Sequence, residues 1–113
     1  MEVVLVSIGG ALGASSRYVV GHVLRSTSFP WSTLLVNVVG SFLLGLVVFG
    51  ANSEQLVLLV GVGFCGAFTT FSSFSFQTVE LWERGMPSLA VLNAGGNLLV
   101  SLLAYGMAWV LVG

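Results

Sequence analysis

Apolar residues run along this chain in four long blocks, interrupted three times by short clusters of charged, amide, hydroxyl or turn-forming residues. Cutting at those clusters gives segments 3–24, 32–50, 56–81 and 88–112, each near the roughly 20 residues that a helix needs to cross a bilayer. The pattern predicts an all-α membrane protein with four transmembrane helices, forming one domain over residues 1–113. The connectors 25–30, 51–55 and 82–87 are too short to hold anything else. Trp31, Trp82 and Trp109 fall near predicted span ends, where indole rings favour the headgroup boundary.

Within the blocks the polar residues are ordered. Thr33, Asn37 and Ser41 recur every fourth position on the second span, as do Asn93, Asn97, Ser101 and Tyr105 on the fourth, so each helix carries a polar stripe on one face. Such a stripe can glue helices together by hydrogen bonds, or it can line a path for an ion. Two stripes beside an interrupted third span favour the path. That interruption is predicted from the third block: after Gly66 come Thr69, Thr70, Ser72, Ser73 and Ser75 within a few residues. Hydroxyls that bond back to the backbone would allow a bent but intact helix. Gly66 eases unwinding, and an opened backbone would leave the carbonyls of residues 66–70 to an ion, to water or to another helix, a cation being a natural partner.

Composition fixes the environment. Hydrophobic residues make up 57% of the chain and charged ones 6%, where a soluble domain carries about a quarter. Mean hydropathy is +1.07. Three arginines, no lysine and four glutamates leave no basic face for nucleic acid. Arg25 and Arg84 lie on the side opposite the termini, a weak positive-inside bias that hardly fixes orientation. No basic segment precedes the first apolar block, so residues 3–24 are expected to be a retained span rather than a signal peptide. The single Cys65 reads as a small buried hydrophobe. Gly9 and Gly13, and Ser41 and Gly45, have the spacing that lets helix backbones approach closely.

Arg17 is the arginine set well inside an apolar block, and an intramembrane charge is a functional candidate. A cation there would concentrate anions, whereas a cation exporter would place a carboxylate in the first span. Phe71 and Phe74, one turn apart among hydroxyls, offer electropositive ring edges that suit a small anion, although core packing is an equal account of either ring. His22 reads as an interfacial side chain, and Glu80 with Glu83 and Arg84 as a solvated cluster. No metal-ligand spacing and no nucleophile–base set lies within the blocks, which argues against an enzyme.

Residues 9–18 (GGALGASSRY), 33–45 (TLLVNVVGSFLLG) and 63–75 (GFCGAFTTFSSFS) together resemble the CrcB/Fluc fluoride channels, and the likeness covers nearly the whole chain. The resemblance implies a multi-pass protein of a bacterial or archaeal plasma membrane. It would act as an antiparallel, dual-topology homodimer in the lipid bilayer, with two fluoride pores and a structural sodium ion on the dyad. It implies Gly66 and Thr69 as carbonyl ligands of sodium, Phe71 and Phe74 as ring edges lining the pore, and Asn37 as a donor to fluoride. Ser72 and Ser73 match a hydroxyl track, Arg17 a vestibule arginine, and Ser101 a pore-facing serine of the fourth helix. Asn97 stands where relatives often have tyrosine and Gln77 where they often have glutamate; both keep hydrogen-bonding capacity. The rival functions are a small multidrug-type cation exporter, disfavoured by Arg17 in place of an acid, and a non-transporting helical adaptor, which leaves the polar break unexplained.

Overall fold

The computed structural model describes residues 1–25 and 29–113. They form α1 (Glu2–Val23), α2 (Trp31–Gly50), α3 (Glu54–Leu56), a π-helical stretch (Val57–Cys65), α4 (Gly66–Phe68), α5 (Phe71–Glu83) and α6 (Pro87–Val112). Because α3 to α5 make one interrupted span over Glu54–Glu83, four units are long and apolar enough to cross a membrane. Their ends fall within two residues of the predicted cuts. Of the predicted connector 25–30, residues 26–28 lie outside the described residues.

Local chemistry sets these ends. Ser53 caps the third span, its Oγ accepting the Leu56 N–H at 3.3 Å. At the last turn of α5, Gly85 takes φ +79°, the left-handed conformation that glycine adopts without strain. Gly85 N–H then donates to the Trp82 carbonyl and Met86 N–H to the Leu81 carbonyl, closing α5 in a Schellman turn. Pro87 follows at the first position of α6, where its missing N–H costs nothing.

The helices pair out of sequence order. α1 lies mainly on the π-helical stretch and α4, α2 lies mainly on α6, and α5 also packs on α6; α1 and α2 barely touch. Glycines make the first of these contacts possible. A Cβ on Gly9 would overlap the Leu59 carbonyl oxygen and reach the Phe64 nitrogen, two groups five residues apart on the wide π turn, and one on Gly13 would overlap the Phe64 carbonyl. On the other pair, a Cβ at Gly45 would come within 2.6 Å of Ala108 Cβ. Both small-residue faces foreseen in the sequence therefore serve packing within the chain.

Burial is inverted relative to a water-soluble domain. Thr33, Thr70, Asn93 and Asn97 are buried, while Leu98, Leu99, Leu102 and Leu103 of α6 and many valines are exposed. That arrangement suits a hydrocarbon solvent, in which apolar side chains face lipid and polar groups must be satisfied inside. The chain is a multi-pass integral membrane protein, and its longest dimension of 47 Å exceeds the bilayer core of about 30 Å. Trp31, Trp82 and Trp109 are exposed at helix ends, as expected. Arg84 and Glu80 form an exposed pair at 3.6 Å, the solvated cluster foreseen.

Candidate functional site

The third span does break, but later than the expected opening at Gly66. Gly66 is helical (φ −60°, ψ −36°), and the chain leaves the helix at Thr69 (φ −78°, ψ 159°) and Thr70 (φ −147°, ψ 119°). The two threonines provide the reason. Thr69 Oγ1 donates back to the Cys65 carbonyl at 2.8 Å and finishes the first half-helix, while Thr70 Oγ1 accepts the Ser73 N–H at 3.1 Å and starts the second.

In an uninterrupted helix the Thr70 N–H would bond the Gly66 carbonyl. Here it donates to Asn37 Oδ1 at 2.8 Å, and Asn37 Nδ2 donates to the Thr70 carbonyl at 3.2 Å. A side chain from the polar stripe of α2 thus replaces the missing helical partner. From there a relay crosses into α6. Asn37 Nδ2 donates to Asn97 Oδ1 at 2.8 Å, Asn97 Nδ2 to Asn93 Oδ1 and to the Asn93 carbonyl at 2.9 Å, Asn93 Nδ2 to Thr78 Oγ1 at 2.8 Å, and Thr78 Oγ1 to the Phe74 carbonyl at 2.8 Å. The two polar stripes face each other across this relay, so they do act as interhelical glue along part of their length.

Beside the break lies an open groove of about 440 Å³. It collects seven of the predicted residues: Asn37, Gly66, Thr69, Phe71, Phe74, Asn97 and Ser101. The Phe71 and Phe74 rings lie 5.8 Å apart at 50°, and Phe71 is 79% exposed, so it is not a core side chain of this chain. Ser101 Oγ is buried without a hydrogen-bond partner among the described residues. Both Asn37 N–H groups already have protein acceptors, so donation to an ion requires exchange with the Thr70 carbonyl or Asn97. Gly40 lets Thr69 approach α2, since a Cβ there would overlap the Thr69 methyl.

A second cavity of about 470 Å³ opens on the other side of Thr70, which lines both. Arg17 and His22 of α1 and Arg25 just beyond it face this cavity, with Ser73 and Gln77 from α5 and no carboxylate among the described residues of its lining. Its field is positive, and an anion there meets attraction and hydrogen-bond donors. Arg25 Nη2 lies 3.1 Å from His22 Nδ1, and both side chains are exposed. Gln77 Oε1 is buried without a hydrogen-bond partner among the described residues. Of the predicted pore residues, Ser72 lies outside both linings; it is exposed on the first turn of α5, 3.4 Å from Thr70 Oγ1.

The sequence reasoning had Thr70 only as one of the hydroxyl cluster, not as a cap, and left out Thr78 and the role of Asn93 in orienting Asn97. A signal for Thr70 was present: a threonine before Phe-Ser-Ser has the N-cap pattern, even in the middle of a hydrophobic block. Thr78 had none, because only the packing of α5 on α6 brings it to Asn93.

Comparison with known proteins agrees with this architecture. The family model described as CrcB-like protein, Camphor Resistance (CrcB) matches residues 4–110. The chain is 53% identical over 108 residues to fluoride-specific ion channel FluC 2 of Haloarcula marismortui, covering 96% of this chain and 91% of the relative. It is 50% identical over 109 residues to fluoride-specific ion channel FluC 1 of Halobacterium salinarum, covering 96% and 92%. A third relative, fluoride-specific ion channel FluC of Thermus thermophilus, is 43% identical over 120 residues, with 96% of each chain covered. With residues 4–110 matched by the family model and relatives 43–53% identical over nearly the full length, the chain belongs to the CrcB family.

Proposed function

We propose that this protein is the subunit of a fluoride-selective ion channel that lets fluoride leave the cell passively and so gives resistance to it. The observation that carries this function is the break at Thr69–Thr70. It sets Thr70, held by the amide of Asn37, between an arginine-lined cavity and a groove edged by two phenyl rings, with no carboxylate among the described residues of either lining. Such a lining attracts an anion without a fixed charge among the described residues of the groove to trap it. The names of the three relatives support fluoride as the ion. The same relatives are named as ion channels, which supports a channel rather than an enzyme here.

In this proposal Arg17 gathers fluoride in the cavity, Ser73 passes it on at the start of α5, and Asn37, Asn97, Phe71, Phe74 and Ser101 conduct it through the groove, whereas Ser72, outside both linings, takes no part. The groove stays open in one subunit, with Phe71 and Gly66 both exposed, which supports a second, antiparallel copy as the missing wall. The Gly66 and Thr69 carbonyls of two such copies would hold a structural sodium ion, a hard cation suited to oxygen ligands. All 113 residues form one channel domain, inserted in either orientation.

Purified protein in liposomes loaded with fluoride tests the function. Addition of valinomycin, to carry the balancing charge, releases fluoride down its gradient while chloride is retained. Equal release of both anions would sink the proposal, and export of an organic cation would favour the multidrug-type exporter.

A further inference from the structure

Asn93 and Thr78 line neither the groove nor the arginine-lined cavity, and Asn93 is 0% exposed, yet both complete the relay that begins at Thr70. The relay has a direction imposed from both ends. The Thr70 N–H can only donate, and the Phe74 carbonyl can only accept. Between these ends each carboxamide has one orientation that leaves no two donors and no two acceptors facing each other.

At the Phe74 end, the Thr78 hydroxyl gives its proton to the Phe74 carbonyl and so can only accept from Asn93. That turns Asn93 Nδ2 toward Thr78 and Asn93 Oδ1 toward Asn97. Asn97 then directs its Nδ2 at Asn93 and its Oδ1 at Asn37. With its own oxygen held by the Thr70 N–H, Asn37 has only N–H groups to offer an ion in the groove, each by exchange with its present acceptor, the Thr70 carbonyl or Asn97 Oδ1. If Asn97 turned over, its NH₂ would face that of Asn37, and Asn37 would be pushed away from Thr70.

We infer that Asn93 and Thr78 are positioning residues that keep the Asn97 oxygen, rather than its NH₂, turned to Asn37, and so keep the Asn37 N–H groups on acceptors that an anion can replace. This assignment rests on the channel function proposed above. Thr78 orients the Asn93 side chain, whose Oδ1 then joins the Asn93 main-chain carbonyl in accepting from Asn97 Nδ2.

The test compares Thr78→Val, which keeps shape and removes the hydroxyl, with Thr78→Ser, which restores the hydroxyl. Fluoride efflux from liposomes should fall roughly threefold to tenfold in Thr78→Val, as expected for loss of a membrane hydrogen bond plus a disordered partner, and return in Thr78→Ser. The carboxamide ¹⁵N resonances of Asn37 and Asn97 in the full-length protein should move in Thr78→Val and stay in place in Thr78→Ser, which a packing role would not produce. Wild-type efflux from Thr78→Val, equal impairment of both variants, or unmoved Asn37 resonances would each overturn the assignment while leaving the channel function intact. Wild-type protein that passes no fluoride would overturn both. Should Thr78→Val fail to fold, Asn93→Leu removes the same orienting contact from the α6 side and is judged by the same two measurements.

Discussion

Asn37 and Thr70 are joined as two peptide groups in a sheet are, one carboxamide accepting the Thr70 N–H at 2.8 Å and donating to the Thr70 carbonyl at 3.2 Å. The bond ties α2 to the point where the third span leaves the helix, so a single side chain holds the break in shape and supplies its donor.

Asn37→Leu removes the partners of two backbone groups on a buried residue and should lower stability by about 2 kcal/mol or more. Asn37→Asp keeps an acceptor for the Thr70 N–H, so it should unfold in detergent at a higher temperature than the leucine variant. It nevertheless presents a repelling anion to the groove, and fluoride efflux should fall at least about tenfold. Wild-type efflux in Asn37→Asp would remove Asn37 from the ion path.

Phe71→Ile and Phe74→Ile replace ring edges with aliphatic bulk. The exposed position of Phe71 means that its replacement should leave subunit folding unchanged. Fluoride efflux should drop by about an order of magnitude in each variant if ring edges stabilise the ion. An isoleucine variant that conducts normally would show that its ring only packs.

Arg17→Gln should slow fluoride entry, and the deficit should depend on salt. At about 0.01 M ionic strength the screening length is near 30 Å and the cavity field reaches into solution, whereas at about 0.15 M it shrinks to about 8 Å. Measured at both strengths, the ratio of wild-type to variant flux should be larger at low salt. A ratio independent of salt would argue that Arg17 acts by shape.

Glycine substitutions should separate packing from assembly. Gly9→Ala and Gly13→Ala drive a methyl into carbonyls of the π-helical stretch and should each destabilise the fold by about 1–3 kcal/mol. At Gly66 a Cβ meets nothing within 4 Å, so Gly66→Val should leave the subunit folded. If a second copy closes the groove, the same variant should shift the protein toward monomer in detergent, as size-exclusion chromatography with light scattering would read. An unchanged dimer would place Gly66 away from that contact.

The four spans were legible because length and hydropathy alone decide which segments can cross a bilayer, and cuts at tryptophans, glutamates and prolines placed their ends closely. The groove residues were legible because fourfold spacing puts Asn37, Asn97 and Ser101 on helix faces before any packing is known. The exact point of the break was not. Glycine at position 66 suggested flexibility, but a helix ends where side chains supply substitutes for its lost hydrogen bonds, and Thr69 and Thr70 supply them. The π-helical turn was also hidden, because it answers to a neighbour: Gly9 fits against Leu59 and Phe64 only once α1 has docked. Thr78 joined the site through contact between α5 and α6, a relationship that no spacing along one helix encodes.

Pairing the first span with the third and the second with the fourth has a consequence for synthesis. When α1 and α2 leave the ribosome they hardly touch each other, and Asn37 must wait in the bilayer without Thr70 or Asn97. The early half of the chain therefore has little to lock it in place, and the amide remains a poor fit for lipid until the last helix arrives. Commitment to a final arrangement comes late, when α6 closes on α2 and the waiting amide finds its partners.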